Sequence, residues 1–87
     1  MTKNEAVQKN LELHNEWMRY CFIHPEILTR IPKGAQIVIL PDNLPELAQE
    51  NKKTAEQLKR KGLPLVIIRM KLPKPPAPRI EVVPAYS

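Results

Sequence analysis

Ala35-Gln36-Ile37-Val38-Ile39-Leu40, closed by Pro41, and Leu65-Val66-Ile67-Ile68-Arg69-Met70-Lys71-Leu72 are the two stretches that decide the fold. The first is rich in β-branched residues and almost unbroken in apolar character. That pattern suits a strand covered on both faces, as in a parallel sheet. The second begins apolar on both faces and then alternates, with Val66, Ile68, Met70 and Leu72 inward against Arg69 and Lys71 outward. Between them Leu44, Leu47, Ala48, Asn51, Ala55 and Leu58 mark one face of a helix running to about Lys61. Its acids (Glu46, Glu50) sit early and its bases (Lys59, Arg60, Lys61) late, which complements the helix dipole. Asn43 and Glu46 have capping-box spacing around Pro45, and Gly62 is placed for a left-handed C-terminal cap. Strand, helix and strand make one βαβ unit with parallel strands, a crossover that is right-handed in nearly all cases.

Upstream, Thr2 and Glu5 have the spacing of another capping box. Val7, Leu11, His14, Met18 and Cys21 then recur at helical spacing, and Leu13, Trp17 and Tyr20 widen the stripe into a broad apolar face. Pro25 pushes His24 out of helical geometry, so this N-terminal helix should stop at residue 22 or 23. Pro25-Glu26-Ile27-Leu28 reads as a short helical turn, and Ile31-Pro32-Lys33-Gly34 as the breaker after it.

Downstream, Pro73-Lys74-Pro75-Pro76-Ala77-Pro78 holds four of the ten prolines and should be extended and semi-rigid in polyproline geometry. Arg79-Ile80-Glu81-Val82-Val83 alternates like a short strand before Pro84. The fold class expected is therefore α/β. A single domain covers residues 1–72, and a proline-rich basic tail at 73–87 offers a short third strand at 79–83.

With 87 residues there is room for one core only. A domain of this size buries roughly 60–65% of its unfolded surface, and its stability is about 4–13 kcal/mol. No apolar run reaches the roughly 20 residues of a membrane span. Met1-Thr2-Lys3-Asn4-Glu5 lacks the apolar core of a signal peptide, so a cytoplasmic location is the default expectation. The lone Cys21 excludes an internal disulfide and a cysteine-only metal cluster. Residues 1–60 carry nine Lys/Arg against eight Asp/Glu, whereas residues 61–87 carry five against Glu81 alone. The net charge of +5 thus belongs mostly to the C-terminal third, which suits solubility, an acidic partner or nucleic acid.

His24-Pro25-Glu26-Ile27-Leu28, Ile31-Pro32 with Gly34-Ala35, Val38 to Pro41, Pro45-Glu46-Leu47 with Asn51, and Gly62 through Ile68 resemble a small prokaryotic family of unknown function. The likeness spans roughly residues 10–70 and leaves out the proline-rich tail. It implies a compact prokaryotic α/β protein with no catalytic residue to map, of a sort often found in two-gene modules with a partner protein.

His14, Met18 and Cys21 share a helical face, and His24 lies three residues beyond. Zinc requires three or four ligands at recognisable spacing, and neither CxxC nor HxxxH is present. Buried Cys and Met usually act as apolar groups. Nucleophilic use of Cys21 would need His14 or His24 as base, with a supporting glycine-rich or oxyanion loop. With Gly34 and Gly62 the only glycines, phosphate-cradling loops are absent too. No enzymatic activity, cofactor or metal is expected. Pro41, Asp42 and Asn43 lie at the carboxyl end of the first strand, where open parallel sheets bind ligands and where a helix N-terminus attracts anions. The plainer reading has Asn43 capping the helix, Asp42 helping the turn and Pro41 ending the strand. Lys71, Lys74 and Arg79 make a basic segment, but prolines rather than stacking aromatics separate them, with Tyr86 the nearest ring.

Two parallel strands leave both sheet edges open and cover little of the helices. Trp17, Tyr20 and Phe22 add large groups that need cover. The leading expectation is a homo-oligomeric, dimeric protein–protein interaction module engaging its partner through Trp17, Tyr20 and Phe22 or through Lys74, Arg79, Ile80 and Val82. The alternatives are a small-ligand or anion site at Pro41, Asp42 and Asn43, or nucleic-acid binding through the basic third.

Overall fold

Val38, Ile39, Leu40 and Pro41 are buried in succession, as the unbroken apolar run of the first stretch requires. They belong to strand β1 (Gln36–Pro41), in a computed structural model that describes residues 1–73 and 78–85. Helix α1 (Lys3–Ile23) and a 3-10 turn (Pro25–Arg30) precede it, and helix α2 (Pro45–Arg60) and strand β2 (Leu65–Met70) follow. The two strands are parallel, in a register that sets Gln36 beside Leu65, Val38 beside Ile67 and Pro41 beside Met70. The protein is mixed α/β, a helix followed by a strand–helix–strand unit.

The sheet is sandwiched. On one face Ile37, Ile39, Ile68 and Met70 pack with Leu13, Trp17 and Cys21 of α1. On the other, Val38, Leu40 and Leu65 pack with Ala55 and Leu58 of α2. Leu47 belongs to the α1-side cluster, so the start of α2 reaches around the edge of β1. The expected α2 face is the one observed: Leu47 and Ala55 are buried, and Leu44, Ala48, Asn51 and Leu58 are half-buried. Gly62 has φ +74 and closes α2 as expected. The Gly62 N–H donates to Lys59 O (3.0 Å) and the Leu63 N–H to Leu58 O (3.4 Å), a Schellman pair that satisfies carbonyls of the last turn.

Four expectations are corrected. First, α1 buries Leu13, Trp17 and Cys21, while Val7, Leu11, His14, Met18 and Phe22 are exposed. A single helix packed on a narrow sheet buries one stripe, and the parallel apolar stripe beside it stays outside. Second, Asn43 and Glu46 form no capping box. Leu44 holds the N-cap position, without a side-chain cap bond, because the Asn43 amide is engaged elsewhere. Third, the Thr2–Glu5 box is half made: the Glu5 N–H donates to Thr2 Oγ1 (3.1 Å), and no reciprocal bond to the Thr2 N–H is present among the described residues. Fourth, Arg79–Val83 forms no third strand; its residues are exposed, and the described residues contain a two-stranded sheet. The expected polyproline arm falls largely on residues 74–77, outside the described residues.

Candidate functional site

The two edges of the sheet are built differently, and the register shows how. In a parallel ladder one residue sends its N–H and C=O to the same neighbour, and the next residue sends both the other way. The Gln36 N–H donates to Pro64 O and the Asp42 N–H to Met70 O, each at 2.8 Å. Gln36, Val38 and Leu40 therefore face β2, and Ile37, Ile39 and Pro41 face the outer edge of β1. By the same phase Val66, Ile68 and Met70 face β1, and Ile67 and Arg69 turn their backbone N–H and C=O to the outer edge of β2.

The β1 edge is obstructed at two points. Asn51 of α2 donates from Nδ2 to Ile39 O (2.8 Å) and to Asn10 Oδ1 of α1 (2.8 Å), while Asn10 Nδ2 donates back to Asn51 Oδ1 (3.3 Å). This amide pair ties both helices together over the carbonyl that another strand would seek. Pro41, also on that edge, has no N–H to offer. Asn43 closes the ladder's end. Its Oδ1 accepts from the Leu72 N–H and its Nδ2 donates to Leu72 O, both at 2.9 Å. The side chain thus imitates a further β1 residue and keeps Leu72 buried in the core.

The β2 edge is open. Among the described residues nothing pairs with the outward backbone groups of Ile67 and Arg69, and the Ile67 side chain is 45% exposed. Beside this edge runs a groove of about 470 Å³, walled by Trp17, Tyr20 and Ile23 of α1 and floored by Ile68 and Met70 of β2. Glu16 and Arg19 stand at its rim, paired at 3.6 Å. The Trp17 and Tyr20 rings stack at 6.3 Å, which keeps the wall continuous. A second hollow of about 250 Å³ continues past Trp17 to Ile27, Ile31 and Val66, with Arg30 beside it.

Of the residues expected to make an interaction surface, Trp17 and Tyr20 line this groove. Trp17 is nevertheless 8% exposed and needs no partner to be covered. Phe22 is 87% exposed and lines neither hollow. Arg79, Ile80 and Val82 are fully described and exposed, and Lys74 and Tyr86 lie outside the described residues. Pro41 and Asp42, but not Asn43, line an open depression of about 280 Å³ that also meets Gln49, Lys52 and Arg69. Pro41 is buried there and the Asn43 amide is committed to Leu72, so of the three Asp42 alone presents a free polar side chain. His14, Met18 and Cys21 do not converge: Cys21 is buried and the other two point out. Among the described residues no group of three or more His, Cys, Asp or Glu side chains could hold a metal, and no helix is long and apolar enough to cross a membrane. The Asn10–Asn51 pair escaped sequence reasoning, although Asn51 sat conspicuously on the apolar face of α2.

The sequence pattern of a family of unknown function, DUF5647, matches residues 5–83. The chain belongs to that family. The match to DUF5647 is longer than the resemblance over residues 10–70 and takes in the tail through Val83. No curated protein and no solved structure matches the chain.

Proposed function

We propose that this member of DUF5647 is a homo-oligomeric interaction module whose docking edge is β2. The observation that carries this is the asymmetry of the sheet. β1 is blocked at two points, Ile39 O by Asn51 and Pro41 by its missing N–H, whereas β2 offers the backbone groups of Ile67 and Arg69 beside an apolar groove. An uncovered edge next to an aromatic-walled groove is the geometry of strand addition, in which backbone bonds give affinity and side-chain pockets give selectivity. Arg69 does not guard the edge, since strand side chains stand roughly perpendicular to the sheet rather than along it.

The test is mass by light scattering on the full chain and on Ile67→Pro. Proline at this position deletes an outward N–H and leaves the β1–β2 ladder bonds in place. The full chain is expected at about twice 10.0 kDa and the variant at 10.0 kDa, with unchanged circular dichroism. A full chain that is monomeric at every concentration, or a variant that keeps the full chain's mass, overturns the reading.

A further inference from the structure

Resting on that reading, we infer that the strand added to β2 is the Arg79–Val83 segment of a second copy of this chain, exchanged between protomers. Three separate observations meet on this segment. It has the alternation of a strand, yet Ile80 is 79% and Val82 89% exposed, so in one chain its apolar side chains have no cover. The match to DUF5647 runs through it and ends at Val83, although within one protomer it packs on nothing among the described residues. Finally, its one acid, Glu81, can be placed beside Arg69 of the edge.

That placement follows from the pleat. Side chains alternate between faces along a strand, so Ile80 and Val82 share one face and Arg79, Glu81 and Val83 the other. On β2, Ile68 and Met70 face the groove under α1; by alternation Ile67 and Arg69 fall with Leu65 on the α2 side, where Arg69 meets Gln49 and Lys52 while also bordering the groove. With Ile80 and Val82 in the groove against Trp17, Tyr20, Ile68 and Met70, Glu81 falls on the same face as Arg69. The opposite placement would set Arg79 in an apolar groove and leave Ile80 and Val82 in water. Within one protomer Glu81 pairs with Arg79 at 3.5 Å, exposed to solvent.

The described residues favour a second copy over the same chain. Within one protomer Arg79–Val83 pairs with neither strand, and Ile80 and Val82 are exposed, so its own β2 edge does not hold it. Reciprocal exchange between two chains closes a two-fold dimer.

The experiment uses the full chain, Ile80→Lys/Val82→Lys, and the charge reversals Arg69→Glu, Glu81→Arg and their combination. Mass is read by light scattering, and amide exchange is followed at Ile67 and Arg69. The lysine variant is expected to be a folded monomer whose Ile67 and Arg69 amides exchange at least tenfold faster than in the full chain. Each charge reversal weakens the dimer and the combined reversal regains it. A lysine variant that remains dimeric overturns the exchanged arm while self-association stands. A combined reversal no stronger than the single ones overturns the placement of Glu81 beside Arg69. A full chain that is monomeric throughout overturns both the arm and the reading beneath it.

Discussion

Asn43 carries more of the fold than its size suggests. Standing after β1 with its amide turned toward Leu72, it makes two 2.9 Å hydrogen bonds where a longer strand would have used its backbone. Removing them leaves the Leu72 N–H and C=O without partners beside a buried leucine, a loss of about 1–3 kcal/mol. Asn43→Ala is therefore expected to lower Tm by roughly 4–8 °C per kcal/mol lost, as thermal melting would show. Asn43→Asp keeps the acceptor for the Leu72 N–H but sets a carboxylate against the Leu72 carbonyl, so it rescues little. The spacing to Glu46 made Asn43 look like a cap, since Asn is a favoured N-cap residue. The sequence around it contains no sign of Leu72, 29 positions away, and a long-range claim on a side chain overrides a local preference.

At the scale of elements, periodicity was a good guide wherever an element packs on one partner. The elements β1, α2 and β2 follow from the apolar runs and their inward residues are those the alternation selects, although β1 is shifted by one residue to take in Pro41 and β2 ends at Met70 rather than Leu72. Helix α1 was harder because two apolar stripes run side by side. Leu13, Trp17 and Cys21 meet the sheet, whereas Val7, Leu11 and Met18 do not, and only the third dimension separates them. The closure of the β1 edge was illegible for a related reason. Asn51 read as one member of a helical face, but its work is to bridge Ile39 of β1 and Asn10 of α1. Asn51→Ala is expected to cost about 1–3 kcal/mol, because it strips the partner from a half-buried carbonyl. Asn51→Asp should melt no higher than Asn51→Ala, since it presents a carboxylate to the Ile39 carbonyl. Thermal melts of the two variants side by side would check this, and an aspartate variant as stable as the parent would count against the edge-closing role.

For the whole molecule, the open side of the sheet sets the behaviour. A small domain has little stability to spare, and here one sheet edge is obstructed at Ile39 and Pro41 while the other is left beside an apolar groove. The tail residues Ile80 and Val82 and the β2 residue Ile67 are the parts a second copy would cover. The open edges of a two-stranded sheet and the strand-like alternation of the tail were legible in the sequence. Which edge was free depends on the hydrogen-bond phase of the ladder and on Asn51, neither of which any run of residues encodes locally.

Amide hydrogen exchange across a dilution series of the full chain tests the docking edge most directly. At high concentration the amides of Ile67 and Arg69 should be protected together with those of Val66, Ile68 and Met70. On dilution Ile67 and Arg69 alone should speed up, as the partner strand leaves and the inner ladder stays. Ile67 and Arg69 amides that exchange equally fast at every concentration would contradict β2 as the edge that pairs.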